Sequence, residues 1–176
     1  MKFKVMNMLR AIDRSQRSQC ISNRVGAIIA IGGRAVAWGE NNTVDLDCRC
    51  NSCNNHMVND DGKLKAVDRP EHSAWSNDNE IHAEMKALLS AHTRGVILKD
   101  AALYTTASPC PNCAKHIEWY VASGAITSVY YLDKYDRGND EWISRLQKYG
   151  CVVEQIKREE LESFIDFSKV VFNNNE

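Results

Sequence analysis

Short apolar runs of strand length alternate along the chain with amphipathic stretches of helical period, and one long polar tract interrupts them. From Met1 to about Gln16, Phe3, Met6, Leu9, Ala11 and Ile12 recur at helical spacing, with Arg10, Arg14 and Arg17 on the polar side, which predicts a first helix. Val25 to Ile31 reads as a buried strand, Gly32-Gly33 as a hairpin turn and Arg34 to Gly39 as the antiparallel return. From about Asn41 to Asn79 no period is visible, and the tract reads as a polar, cysteine-rich loop. Asp78 and Asn79 are cap candidates for a helix on which Ile81, Met85, Leu88 and Leu89 recur. Ala102 to Thr106 then predicts a strand, Cys110 to about Ser123 a helix stopped by Gly124, and Ser128 to Leu132 a second strand. Glu141 to Tyr149 predicts a helix, Cys151 to Ile156 a short strand, and Arg158 to about Phe167 a final helix. Strand–helix–strand repetition requires right-handed crossovers between parallel strands, here joined to an antiparallel hairpin. The expected class is α/β, with a five-stranded mixed sheet and helices on its faces.

Composition narrows this to one domain spanning residues 1–176: 44% hydrophobic and 26% charged residues suit a single packed core. Lys and Arg number 22 against 23 Asp and Glu, for a net charge of −1, and no basic run occurs. That gives no support for a broad nucleic-acid surface, although a local basic pocket for a small anion remains open. The first residues lack the apolar core of a signal peptide and no apolar run reaches membrane-spanning length, so the expected setting is the cytoplasm, without a membrane partner. The odd count of 7 cysteines, in metal-like spacing, favours reduced thiols and metal ligation over disulfides. Cys151, opening an apolar strand, reads as core.

The chemistry concentrates in His82-Ala83-Glu84 and Pro109-Cys110-Pro111-Asn112-Cys113. One imidazole and two thiolates neutralise Zn²⁺ and leave a fourth position for water, the arrangement of a catalytic site. Zinc lowers the pKa of its water to about 7, and Glu84, two residues from His82, is placed to take that proton and pass it to a ring nitrogen and a departing ammonia. This pairing of motifs is the signature of zinc-dependent nucleobase deaminases. Alone, the two cysteines read equally as a zinc knuckle or a redox pair. The upstream His-x-Glu changes that balance, and so does the placement of each motif at the opening of a helix, whose dipole favours thiolates.

The segment Glu71 to Leu89 closely resembles the bacteriophage-type deoxycytidylate deaminases, as do Ser108 to Lys115, Cys20 to Ala27 and Asp133-Lys-Tyr-Asp136. The resemblance runs from the first helix to about Gly150. It implies a three-layer α/β/α cytidine-deaminase fold, conversion of dCMP to dUMP and ammonia in support of thymidylate synthesis, and a homo-oligomer, a hexamer by analogy. Residue by residue it places the catalytic zinc on His82, Cys110 and Cys113 and makes Glu84 the acid/base. Asn41 would meet the sugar hydroxyl, although it reads equally as a turn residue. The Ala83 N–H would face the base carbonyl, and Ser108 belongs to the matched motif. Arg24 and Tyr135 are candidates for the 5′-phosphate, since a guanidinium fork matches phosphate, and both read equally as surface residues.

The same resemblance implies a second zinc on Cys20, His72, Glu80 and a cysteine from Cys48, Cys50 or Cys53. Ungapped counting from Gly39 favours Cys50, with Cys48 the alternative; a polar loop of free thiols is the competing reading. His56 and His92 read as surface residues and His116 as lining a helix face. One departure stands out: Gly39-Glu40-Asn41-Asn42 replaces the Gly-Tyr-Asn-Gly of members controlled by dCTP and dTTP, which removes a stacking ring and sets a carboxylate where a triphosphate would bind. Rival functions are a polynucleotide deaminase of tRNA type, a free-nucleoside deaminase, and a non-catalytic zinc-stabilised binding protein.

Overall fold

The computed structural model describes residues 2–45, 47–135 and 140–175; Asp136, the last residue of the Asp133-Lys-Tyr-Asp match, lies outside them. In chain order the main elements are α1 (Lys2–Ser15), β1 (Gly26–Ile31), β2 (Arg34–Glu40), β3 (Asn42–Thr43), α2 (Cys50–Cys53), α3 (Arg69–Asn79), β4 (Glu80–Ile81), α4 (Ala83–Thr93), β5 (Ala101–Ala107), α5 (Pro111–Ala122), β6 (Ile126–Asp133), α6 (Glu141–Gln147) and β7 (Val152–Gln155). The sheet has five strands in the order β2-β1-β5-β6-β7. Antiparallel pairing joins β2 to β1 and β1 to β5, and parallel pairing joins β5 to β6 and β6 to β7. This is the mixed sheet that the alternating pattern predicts. Gly32 and Gly33 turn the hairpin with φ of 57° and 81°, the left-handed pair a type I′ turn needs.

Alternation along the strands divides the core in two. On one face Ala27, Ile29, Leu103 and Val129 pack against Ala87, Leu88, Ile117 and Leu146 of α4, α5 and α6. On the other, Ile28, Ala30, Tyr104 and Leu132 pack against Met8, Ala11 and Ile12 of α1, with Ile156 and Leu161 beside them. Two glycines set the helix-to-sheet distance. A Cβ on Gly26 would collide with the Ala11 carbonyl of α1, and one on Gly39 would collide with the Ala83 carbonyl and lie 2.6 Å from the Ala87 nitrogen of α4. No helix among the described residues is long and apolar enough to cross a membrane.

Four local expectations are corrected. The buried face of α1 is Asn7, Met8, Ala11, Ile12 and Ser15, while Phe3 and Met6 are exposed. The helix turns Ala11 and Ser15 towards the bare Cα of Gly26, and the Phe3 ring lies over Gly33 of the hairpin. The polar tract is not all loop: it contains α3, whose single buried residue, His72, gives no apolar stripe to detect. Asp78 and Asn79 therefore end α3 and do not cap α4, whose N-cap position is His82. The final helix does not form. Two short 3-10 turns, Arg158–Glu160 and Phe167–Lys169, take its place. Asp166 accepts hydrogen bonds from the Ser168 N–H and Oγ, a local side-chain turn that competes with helix.

Candidate active site

Four residues meet where α4 and α5 begin, beyond the carboxyl end of β5. His82 occupies the N-cap position of α4 with Glu84 in its first turn; Cys110 occupies the N-cap position of α5, with Pro111 opening the helix and Cys113 buried in its first turn. The extended backbone at each N-cap swings these side chains out of the helix and towards one another. His82 Nδ1 lies 3.4 Å from Cys110 Sγ and 3.4 Å from Cys113 Sγ. Tetrahedral zinc at the usual bond lengths sets nitrogen and sulfur ligands about 3.6 Å apart, so the donor set fits that ion. Their closeness also shows in their protonation. A hydrogen bond from the Cys113 thiol, with His82 adding to it, pushes Cys110 down to about 4, while Cys113 is pushed up. His82 is raised to about 9, chiefly by its hydrogen bond with Cys110. Glu84 is 4% exposed, and burial raises its carboxyl above the ordinary range. Its Oε2 lies 3.6 Å from Cys113 Sγ.

These groups open onto a cavity of about 310 Å³ that Asn41, Ala83, Glu84, Ser108 and Tyr135 also line. Ala83 is the first residue of α4, so its N–H has no acceptor within the helix. Asn41 is committed to the backbone: its Oδ1 accepts from the Val25 N–H at 2.8 Å and its Nδ2 donates to the Asn23 carbonyl at 2.8 Å. Ser108 joins the loops after β5 and β6, donating its N–H to the Asp133 carbonyl at 2.7 Å and accepting the Tyr135 N–H on Oγ at 2.8 Å. Asn23, Val25, Ala107 and Tyr135 also border a second cavity of about 620 Å³, which Arg24, Arg69, Lys134 and Arg158 line. Arg158 is engaged by Asp133 at 2.6 and 3.0 Å, and Lys134 by Asp140 at 2.7 Å. The Arg24 Nε is buried without a hydrogen-bond partner.

A second cluster joins Cys20, Cys50 and His72, all buried. His72 Nε2 lies 3.2 Å from Cys50 Sγ and 3.9 Å from Cys20 Sγ. Cys48 and Cys53 form a disulfide with each other, which corrects the expectation of reduced thiols and removes both from the candidate ligands. Glu80 stands beside the trio and not within it. Its Oε2 accepts from Ser76 Oγ at 2.6 Å, and its Oε1 is buried near the thiols without a conventional hydrogen bond. Burial, then the neighbouring Cys50, raises Glu80 to about 7, while hydrogen bonding from Cys20, then from His72, lowers Cys50 to about 4. The charge favoured on Cys50 thus disfavours a second one on buried Glu80, and a cation between them would offset both. His56, His92 and His116 are all exposed.

Residues 1–131 match the family described as the cytidine and deoxycytidylate deaminase zinc-binding region. The chain belongs to that family. It is 31% identical to the deoxycytidylate deaminase of Enterobacteria phage T2, with 87% of this chain and 92% of that one covered, and 31% identical to that of phage T4, with 84% and 86% covered. Among solved structures it is similar to the dCMP deaminase of cyanophage S-TIM5 in complex with dCMP and dUMP, at 29% identity and a TM-score of 0.65, covering 88% of this chain and 97% of that one.

Within this family fold some site residues were not visible in the sequence. Asn23, Ser76 and Arg69 line the cavities or brace the second cluster, yet each is an isolated polar residue in an aperiodic stretch. Arg69 had one available signal, its position immediately before Pro70 at the start of a helix. Glu40 carries a different meaning from the one its charge suggests. It is buried, 2.6 Å from Lys86 Nζ and 2.6 Å from Arg14 Nε, the latter off hydrogen-bond alignment. The expectation that it repels an anionic ligand is corrected accordingly: two cations already neutralise it.

Proposed function

We propose that this chain hydrolyses dCMP to dUMP and ammonia in a zinc-dependent reaction. The observation that carries the proposal is Glu84, a buried carboxylate lining a cavity beside His82, Cys110 and Cys113. Zinc held by those three residues supplies the Lewis acidity that makes water a nucleophile near neutral pH. Glu84 is the proton carrier: its carboxylate would accept a proton from the attacking water and deliver protons to the ring nitrogen and the departing amine. Burial holds it above the ordinary carboxylate range, which makes the protonated, donating form easier to reach. The Ala83 N–H is assigned to the base carbonyl, Asn41 and Ser108 to the sugar side, and Arg24 and Tyr135 to the 5′-phosphate. In support, these residues line two cavities that share Asn23, Val25, Ala107 and Tyr135 in their walls, and the larger is also lined by Arg24, Arg69, Lys134 and Arg158.

We also assign a structural zinc to Cys20, Cys50 and His72 with Glu80 as fourth ligand, supported by the buried oxygen of Glu80 beside the thiols. The remaining assignments are a phage source, action in the host cytoplasm, and a homo-oligomer, taken as a hexamer from the resemblance. Exposed Trp119 and Ile97 would suit self-association, which light scattering tests. The decisive functional experiment is ammonia release from dCMP, deoxycytidine, dCTP and cytosine in single-stranded DNA. The expected result is a far higher kcat/KM for dCMP. Equal turnover of deoxycytidine removes the phosphate-directed reading, and turnover of the DNA alone installs the polynucleotide reading.

A further inference from the structure

The backbone of Ser22 to Val25 lies just before β1 and borders both cavities. Its polar groups are held alternately from two sides. On one side Asn41 takes residues 23 and 25, accepting the Val25 N–H and donating to the Asn23 carbonyl. On the other side residues 172–175 take residues 22 and 24. The Arg24 N–H donates to the Phe172 carbonyl at 2.8 Å, the Asn174 N–H donates to the Ser22 carbonyl at 2.9 Å, and Ser22 Oγ donates to Asn175 Oδ1 at 3.0 Å. Asn23 and Asn173 form an antiparallel bridge between the two segments.

Residues 172–175 are themselves anchored. The Leu64 N–H donates to the Asn174 carbonyl at 2.7 Å, and buried Leu64 packs with Cys20 and Cys50. Phe172 lies against the Arg158 guanidinium, 5.2 Å from the ring centroid. Phe172, Asn173 and Asn175 also form part of the wall of the larger cavity, the one that Arg24 lines. The carboxamide oxygens of Asn173 and Asn175 are both used as acceptors, from the Asn175 N–H and from Ser22 Oγ.

We propose that residues 172–175 are a positioning strap: they fix the Ser22–Val25 loop so that Arg24 meets the substrate's 5′-phosphate, and so set the preference for a nucleotide over a nucleoside. This rests on the dCMP reading given above. A guanidinium recognises phosphate through directed, paired hydrogen bonds, so its value depends on how firmly its backbone is held. The reacting base lies at the other end of the smaller cavity, against Glu84, and does not need the strap.

The test compares the wild-type holoenzyme with a chain ending at Val171 and with Asn174→Pro, which removes the N–H given to Ser22, together with the Asn174 side chain, and keeps the carbonyl that accepts from Leu64. Asn173 lies in a β-bridge, the extended conformation that a following proline requires, so this second variant keeps the test open if the shortened chain does not fold. KM and kcat are measured for dCMP and for deoxycytidine. The expected result is a KM for dCMP raised by roughly 10-fold or more, with kcat/KM for deoxycytidine within about 2-fold of wild type. In an Arg24→Ala background the strap variants should add little further loss, since both act on one contact. Equal losses on both substrates, or unchanged KM for dCMP, overturn the strap while leaving the dCMP reading intact. A wild type with no preference for dCMP overturns that reading, and the role of the strap with it.

Discussion

Gly39→Ala tests how tightly the fold holds the reacting groups, because the methyl it adds points at the start of α4. It would collide with the Ala83 carbonyl and sit 2.6 Å from the Ala87 nitrogen and 2.8 Å from Lys86 Cβ, where ordinary contacts begin at 3.4 Å. Two of the three obstacles are backbone, so side-chain rotation cannot relieve the overlap. Strand β2 and helix α4 must separate by roughly 1 Å, and His82 and Glu84 sit on that end of the helix. Overpacking of this kind costs about 1–3 kcal/mol of stability, or on the order of 2–12 °C in Tm for a domain of this size. A 1 Å misplacement of a catalytic group costs about 10²-fold in rate, close to 3 kcal/mol in the barrier. Steady-state kcat/KM for dCMP, zinc content and thermal melting are measured together. Gly32→Ala is the control, since its Cβ would meet nothing within 4 Å; it should cost stability through its φ of 57° and leave the rate alone. Wild-type kcat/KM in Gly39→Ala would refute the claim that this contact places Glu84. Equal rate losses in both variants would mean that global stability, not position, was being measured.

Three further outcomes follow from the same geometry. Glu84→Gln should keep its zinc and lose about 10²–10⁴ in kcat, the range for general acid/base catalysis, and an undiminished rate would move the proton carrier elsewhere. Elemental analysis should give two zinc ions per wild-type chain, one in Cys50→Ser and in His72→Ala, and two in Cys48→Ser; a single ion in the wild type removes the second site. Glu40→Gln should destabilise by about 1–3 kcal/mol in urea unfolding, because Lys86 and Arg14 lose a buried carboxylate that is 9% exposed while they are themselves 34% and 24% exposed. No measurable change would place this triad with ordinary surface pairs.

How legible each part of the molecule was depended on what holds it. The hairpin and the parallel strands bury apolar residues on both faces, and that leaves short unbroken apolar runs to read; the candidate zinc ligands sit at helix starts in a short motif with its own chemistry. Helix α3 buries only His72, and one polar residue leaves no hydrophobic pattern. The stretch after Arg158 has apolar residues enough for a helix, yet Leu161, Phe167 and Phe172 cover the sheet face beside α1 through turns. Cys50, which ungapped counting from Gly39 favours, is the cysteine that faces His72, while Cys48 and Cys53 turn towards each other.

The departure at Gly39-Glu40-Asn41-Asn42 takes on a different sense once the packing is known. Gly39 admits the start of α4, and Glu40 ties that helix to α1 through Lys86 and Arg14. Asn41 holds the loop that carries Arg24, and Asn42 pairs with Ile81, the residue before His82. Four consecutive residues thus tie the end of β2 to α1, to α4, to the Ser22–Val25 loop and to the residue before His82, and Asn41 also lines the smaller cavity. A bulky ring in place of Glu40 would have to enter a position that is already buried and would leave two cations without their carboxylate. Glu40 is therefore held by packing against two helices, and that packing, more than the repulsion its charge first suggested, is what sets this segment apart from Gly-Tyr-Asn-Gly.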